Sequence, residues 1–134
     1  MSLETPIENS SKKRLWTGRT LFALPILFLT FDTTIHLLNI KPVVEGMAQL
    51  GYPVTMGRTL GVIQLVCLIV SLIPRTAFFG ALLWTGYLGG AVATHARLSN
   101  PLFSHVLFPT YVALLLWAGL YLRDPRLRNL LAAR

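Results

Sequence analysis

The amino-acid sequence predicts an all-α integral membrane four-helix bundle, with both termini cytoplasmic and a short amphipathic helix in the first outer loop. Hydrophobic residues make up 54% of the 134 residues. The mean hydropathy of +0.61 is too high for an ordinary soluble domain. The apolar residues also fall into four long runs separated by short polar connections, which is typical of a protein that crosses a membrane several times.

The formal net charge of +7 is carried mostly by the N-terminal segment and the C-terminal tail. This placement outside the apolar runs indicates contact with the headgroups of a lipid bilayer and argues against nucleic-acid binding. The single cysteine, Cys67, lies within an apolar run, which excludes an internal disulfide and a paired-thiol redox centre. The first apolar run is too long for a signal peptide and is expected to be a retained helix.

Residues 1–15 are polar and are expected to form a disordered cytoplasmic tail. A single transmembrane domain over residues 16–128 and a cytoplasmic tail over residues 129–134 complete the chain. The predicted membrane helices cover residues 16–38, 56–73, 76–94 and 103–122. Each is long enough to cross a hydrocarbon core of about 30 Å. Pro25 and Pro109 are expected to kink the first and fourth helices.

The longest connection, residues 39–55, contains the predicted amphipathic helix. Apolar residues recur there at helical spacing between Pro42 and Leu50, and Gly51 is placed to end the helix. We expect this helix to lie on the outer membrane surface.

The distribution of lysine and arginine predicts the orientation of the helices. Nine basic residues fall on one side of the membrane: Lys12, Lys13, Arg14, Arg19, Arg75, Arg123, Arg126, Arg128 and Arg134. Three fall on the other: Lys41, Arg58 and Arg97. Because basic residues are enriched in cytoplasmic segments, both termini are predicted to be cytoplasmic.

Polar side chains from all four helices are predicted to converge near the outer face. Asp32 and His36 are four residues apart, so they share one face of the first helix. The residues predicted to meet there are Asp32, His36, Gln64, His95, Arg97 and His105. The inner halves of the helices carry almost no ionisable residues, which argues against a proton or solute carrier.

Two interpretations of this polar cluster remain open. A charged aspartate inside a membrane is costly and needs a partner, so Asp32 and His36 either relay protons in a functional pocket or only hold helices together by hydrogen bonds. His95 is a further candidate for proton exchange, because the carboxyl end of its helix favours the charged ring. Neutral His36 or His105 would suit a metal or haem, but no two histidines have a local ligand spacing, and no metal site is predicted.

Gly86 and Gly90 in the third membrane helix form a small-xxx-small pair. Such a pair permits close packing of helices, either within the chain or across a homo-oligomer interface.

Several segments carry a resemblance to a known family. Residues 41–53 read Lys-Pro-Val-Val-Glu-Gly-Met-Ala-Gln-Leu-Gly-Tyr-Pro, and Gly57–Leu60 opens the next helix. His95-Ala-Arg97 is followed by Asn100-Pro101, and the chain ends with Leu-Leu-Trp117-Ala-Gly-Leu and Leu122-Arg-Asp-Pro-Arg-Leu-Arg128. In the order and spacing of these segments, residues 16–131 resemble the DoxX-like family of small four-helix bacterial membrane proteins.

The resemblance implies a multi-pass protein of the bacterial inner membrane that is linked to quinone and works with a redox partner protein. It supplies no catalytic motif. Under this interpretation Asp32 and His36 would relay protons. The quinone pocket would be formed by His36, Gln64, His95, Arg97 and His105. The alternative is a non-catalytic scaffold or assembly subunit of a larger complex.

Overall fold

A computed structural model describes residues 6–133, and within that range the chain is helical without any strand. The helices are α1 (Pro6–Leu38), α2 (Lys41–Gln49), α3 (Met56–Leu72), α4 (Ala77–Arg97), α5 (Phe108–Arg123) and α6 (Pro125–Ala132). A short π-helix, Leu102–Val106, precedes α5. The prediction of an all-α fold is confirmed.

The four long helices pack side by side. α1 contacts α3 and α5, and α4 contacts the same two helices. α1 and α5 run antiparallel, because Phe22 lies against Gly119 while Phe28 lies against Phe108. α2 therefore lies at one end of the packed helices, and α6 lies at the other. These ends are called the α2 end and the α6 end below.

Glycines set the closest approaches between the long helices. A Cβ added at Gly61, Gly80 or Gly119 would come under 3.0 Å from the backbone of the neighbouring helix. The neighbours are α1 at Gly61, Ser71 of α3 at Gly80, and Phe22 of α1 at Gly119. Without a side chain at these positions the helix backbones come into direct contact.

The apolar core fills the α6 end and the middle of the assembly. Its largest member, Trp84, is completely buried. The other core residues include Phe22, Ile26, Leu29, Leu68, Leu116 and Leu120. Leu127 of α6 is buried against the same core, so α6 closes this end.

The first helix begins ten residues earlier than predicted. Residues 6–15 are helical, so the expectation of a disordered tail is wrong for them, and residues 1–5 lie outside the described residues. The prediction was wrong because a polar composition argues against burial of a segment, but a polar segment can still form a helix. Lysine, arginine and glutamate are good helix formers, and extending an existing helix is far easier than starting one. Glu8 and Lys12 also lie one turn apart, with 3.8 Å between their charged groups.

The fourth predicted helix and the C-terminal tail also differ from expectation. α5 starts at Phe108, which places Pro109 in its first turn instead of its middle. At that position the proline costs α5 no hydrogen bond, because an amide N–H there would have no partner within the helix. Residues 125–132, partly assigned to a tail, form α6. The Asp124 side chain caps α6 by accepting a hydrogen bond from the Arg126 backbone N–H at 2.9 Å.

The amphipathic helix lies close to its predicted position, and Gly51 follows it with a φ of 77°. The Gly51 and Tyr52 amides donate to the carbonyls of Ala48 and Met47, which is the Schellman arrangement. Val43 and Met47, on the apolar face, are buried against Gly57 at the start of α3. This face therefore packs on the protein, and the predicted position of α2 at the outer membrane surface stays a prediction.

The outward faces of the long helices are strongly apolar. Large exposed side chains include Leu27, Phe31, Val62, Val66, Phe79 and Leu114. The segments Pro6–Leu38, Ala77–Arg97 and Leu102–Arg123 are long and apolar enough to cross a membrane. Met56–Leu72 is a shorter apolar helix of 17 residues. Apolar groups outside and polar groups such as Gln64 inside suit a hydrocarbon environment.

Candidate functional site

A cavity of about 820 Å³ lies between the long helices, towards the α2 end. This volume falls within the range of about 300–1,000 Å³ that small-molecule sites occupy. All four long helices and α2 contribute to its walls, which are mostly apolar. The polar side chains that line it are Asp32, His36, Tyr52, Tyr87, Thr94 and His95.

One wall carries a polar group that joins α1 to α3. The Gln64 side chain, which is completely buried, donates from Nε2 to Oδ2 of Asp32 at 2.5 Å. His36 Nδ1 lies 2.8 Å from the backbone oxygen of Asp32 and 3.6 Å from Oδ2. Since a carbonyl only accepts, Nδ1 carries the proton, and Nε2 of the neutral ring is the acceptor. The carboxylate is thus held by Gln64 while one edge of His36 stays available.

Gln64 holds Asp32 from a position outside the cavity lining. It does not line the cavity, although the sequence predicted it in the pocket. Its Oε1 is buried and has no hydrogen-bond partner among the described residues. Leaving a buried acceptor without a hydrogen bond lowers the stability of the protein. The hydrogen bond from Nε2 of the same side chain nevertheless fixes the position of the Asp32 carboxylate.

The opposite wall belongs to α4. Asn100 donates from Nδ2 to Nδ1 of His95 at 2.8 Å, which leaves the proton of the neutral ring on Nε2. Thr94 donates to the Gly90 carbonyl at 2.9 Å and accepts a hydrogen bond from the Tyr52 hydroxyl at 2.8 Å. Donors and acceptors on this wall therefore have fixed roles before any ligand arrives.

Besides Gln64, two further predicted pocket residues, His105 and Arg97, lie outside the cavity lining. The His105 ring packs against the His95 ring, with 5.9 Å between centroids, but it is exposed and hydrogen-bonded to Ser104. Arg97 donates from Nη2 to the Leu50 carbonyl at 2.8 Å. This bond satisfies a free carbonyl at the end of α2, so Arg97 holds α2 in place and does not line the walls.

The glycine pair of α4 has a different setting from the one the sequence suggested. Gly86 and Gly90 line the cavity, and a Cβ added at either would meet no atom within 4 Å. Close packing within the chain is therefore wrong for this pair. Gly80 on the same helix fulfils that role.

Sequence reasoning missed Tyr52, Tyr87, Thr94 and Asn100 as site residues. The last three could have been found: Tyr87 and Thr94 share the helical face of His95, and Asn100 follows closely after it. Tyr52 required knowledge of how α2 folds over the cavity. Among residues 6–133, no three histidine, cysteine or acidic side chains lie together as metal ligands would.

Comparisons with known proteins identify a family. No curated protein and no solved structure matches the chain. The model of the DoxX-like family matches residues 20–119, which extend from α1 to α5. Taken with the apolar outward faces of the helices, this match makes the protein an integral membrane protein. The chain belongs to the DoxX-like family.

Proposed function

We propose that this protein binds a quinone in the cavity and serves as a quinone-linked redox subunit. The observation that carries the proposal is the combination of a largely apolar cavity with a small set of oriented polar groups on facing walls. Quinone rings are apolar and have two carbonyl oxygens that accept hydrogen bonds. An apolar site with few convergent polar groups is the usual form of such a binding site.

The lining residues fit this ligand class. Tyr87 and His95 Nε2 are donors suited to a quinone carbonyl. Apolar walls from Leu29, Ile63 and Val112 suit the ring. When bound, a quinone would supply reversible chemistry of two electrons and two protons, and a redox partner protein would exchange the electrons.

Asp32 and His36 are placed to hold and move protons. The carboxylate accepts from Gln64 and can also accept a proton, while Nε2 of His36 is the open acceptor on the same wall. Gln64 positions the carboxylate through its short hydrogen bond. Proton exchange at Asp32 Oδ2 and at His36 Nε2 would accompany the redox reaction.

We further propose that all four long helices span a bacterial inner membrane, with both termini cytoplasmic and the cavity in the outer half. α3 has 17 residues, at the lower end of the roughly 17–25 that a crossing needs. The α6 end carries basic groups that include Arg19, Arg123 and Arg128, as expected for the cytoplasmic side.

A non-catalytic scaffold subunit is the second candidate. The hydrogen bond between Asp32 and Gln64 favours it, because this bond already satisfies the carboxylate and joins α1 to α3. The cavity favours the first candidate, since a purely structural cluster needs no space beside it.

Binding of a ubiquinone or menaquinone analogue to the purified protein in nanodiscs tests the proposal. Asp32→Asn and His36→Ala should each weaken saturable binding of the reduced, hydroquinone form of the analogue about tenfold, because each removes or neutralises an acceptor for a hydroquinone hydroxyl. The matched controls are Glu45→Gln and His105→Ala, which alter the same chemical groups outside the cavity lining. Controls should bind as the native chain does. No binding by a folded native protein would favour the scaffold subunit instead.

A further inference from the structure

The cavity has one side that is open and purely apolar. Ile63 of α3 and Leu83, Gly86 and Gly90 of α4 all line the cavity and are all exposed on the surface of the protein. A residue that is both lining and exposed lies where the cavity meets the surroundings. The cavity therefore opens sideways between α3 and α4, on the face that a bilayer would cover.

Glycines leave space beside α4 at this gap. α3 and α4 touch at Ser71 and Gly80, where an added Cβ would collide with the Ser71 backbone. Gly86 and Gly90, roughly two and three turns further along α4, line the cavity, and an added Cβ at either would meet no atom within 4 Å. Within the described residues, these two glycines are therefore not positions of close helix packing.

The other side of the cavity is closed by an aromatic contact. Phe28 of α1 and Phe108 of α5 also line it and are about as exposed as Ile63 and Leu83. Their rings meet edge to face with 5.4 Å between centroids, which is a favourable packing distance for aromatic pairs. An apolar chain leaving the cavity would have to separate these rings on that side, whereas the glycine side requires no movement.

We propose that the gap between α3 and α4 at Gly86 and Gly90 is the passage through which the apolar chain of a lipid-soluble quinone leaves the cavity and enters the membrane. This inference rests on the proposed function and specifies its ligand as a quinone with a polyprenyl chain. Tyr87 and His95 would hold the ring inside by donating hydrogen bonds to its carbonyl oxygens, and the chain would lie along Ile63 and Leu83.

Equilibrium binding to Gly86→Leu and Gly90→Leu variants in nanodiscs tests the passage. Two probes are compared: a ubiquinone with a polyprenyl chain and the same quinone ring without a chain. A leucine side chain in the gap should reduce the affinity for the polyprenyl probe at least about tenfold, because the chain loses its path. Affinity for the chainless probe should stay within about twofold.

Gly89→Leu is the matched control. Gly89 is exposed on the same helix and also has no atom within 4 Å of an added Cβ, but it does not line the cavity. It should bind both probes as the native chain does. An equal loss in the Gly89 variant would overturn the inference, and so would equal loss of both probes in the Gly86 and Gly90 variants. Native affinity for the polyprenyl probe in those two variants would overturn it too, while leaving the quinone site standing.

A second measurement does not depend on variants. A quinone with a photoreactive group near the start of its chain should label Ile63 or Leu83 in the native protein. Labelling of Phe28 or Phe108 would instead place the exit between α1 and α5. A native protein that binds neither probe would refute the proposed function, and this inference would fall with it.

Discussion

The role of a glycine in this protein depends on whether another helix packs against it. Gly119 faces the Phe22 backbone of α1 so closely that an added Cβ would collide with the Phe22 nitrogen. Gly89 faces open space. Both lie within long helices, where glycine is intrinsically unfavourable by about 0.5–1 kcal/mol relative to alanine. Its presence at Gly119 is explained by packing.

Gly119→Ala should therefore destabilise the protein by about 1–3 kcal/mol, because the new methyl group forces α1 and α5 apart. Gly89→Ala should leave stability unchanged or raise it slightly, because it only improves helix propensity. Thermal unfolding of both variants in the same detergent measures the difference. Equal unfolding temperatures would show that the contact between α1 and α5 is looser than the structure has it.

At the scale of elements, α2 is held over the cavity by a small number of contacts. The Leu50 carbonyl accepts from Arg97, the Tyr52 hydroxyl donates to Thr94, and Val43 packs on Gly57. The sequence predicted the existence of this helix and its end at Gly51, since spacing and a glycine are local signals. It could not predict the two hydrogen bonds, because they join residues more than forty positions apart.

The double variant Arg97→Ala with Tyr52→Phe should loosen α2. Each lost hydrogen bond contributes about 0.5–1.5 kcal/mol, so amide exchange over residues 41–52 should accelerate roughly tenfold. Exchange in α5 should not change. Arg58→Ala is the control, since it removes an exposed arginine near the same end. Unchanged exchange in α2 would mean that its apolar face alone holds it.

For the whole molecule, sequence patterns predicted the helical fold well and the site only in part. Apolar runs located α3 and α4 within a few residues, because burial in lipid imposes long continuous patterns. The pairing of Asp32 with Gln64 follows from the cost of an unpartnered carboxylate. The position of His105 outside the cavity could not be predicted from the sequence. His105 lies in the π-helix before α5, and the sequence has no recognised pattern that predicts a π-helix there.

The proposed membrane orientation has its own test. In a Cys67→Ala background, Ser10→Cys at the start of α1 and Ala48→Cys on α2 are both exposed positions. A membrane-impermeant maleimide added to intact cells should label position 48 and leave position 10 unlabelled until the cells are opened. The reverse pattern would contradict the proposed orientation and move the cavity to the cytoplasmic half.

α1 runs as one continuous helix from Pro6 to Leu38, a rod of roughly 50 Å. Its N-terminal half packs closely on α5 where Phe22 contacts Gly119. Three residues later, Pro25 lacks the amide proton that would donate a hydrogen bond to the preceding turn. Bending is easiest at such a break. The part of α1 that carries Asp32 can therefore bend at Pro25 relative to the rest of the helix. A bend that widened the cavity would move the Asp32 carboxylate away from Gln64.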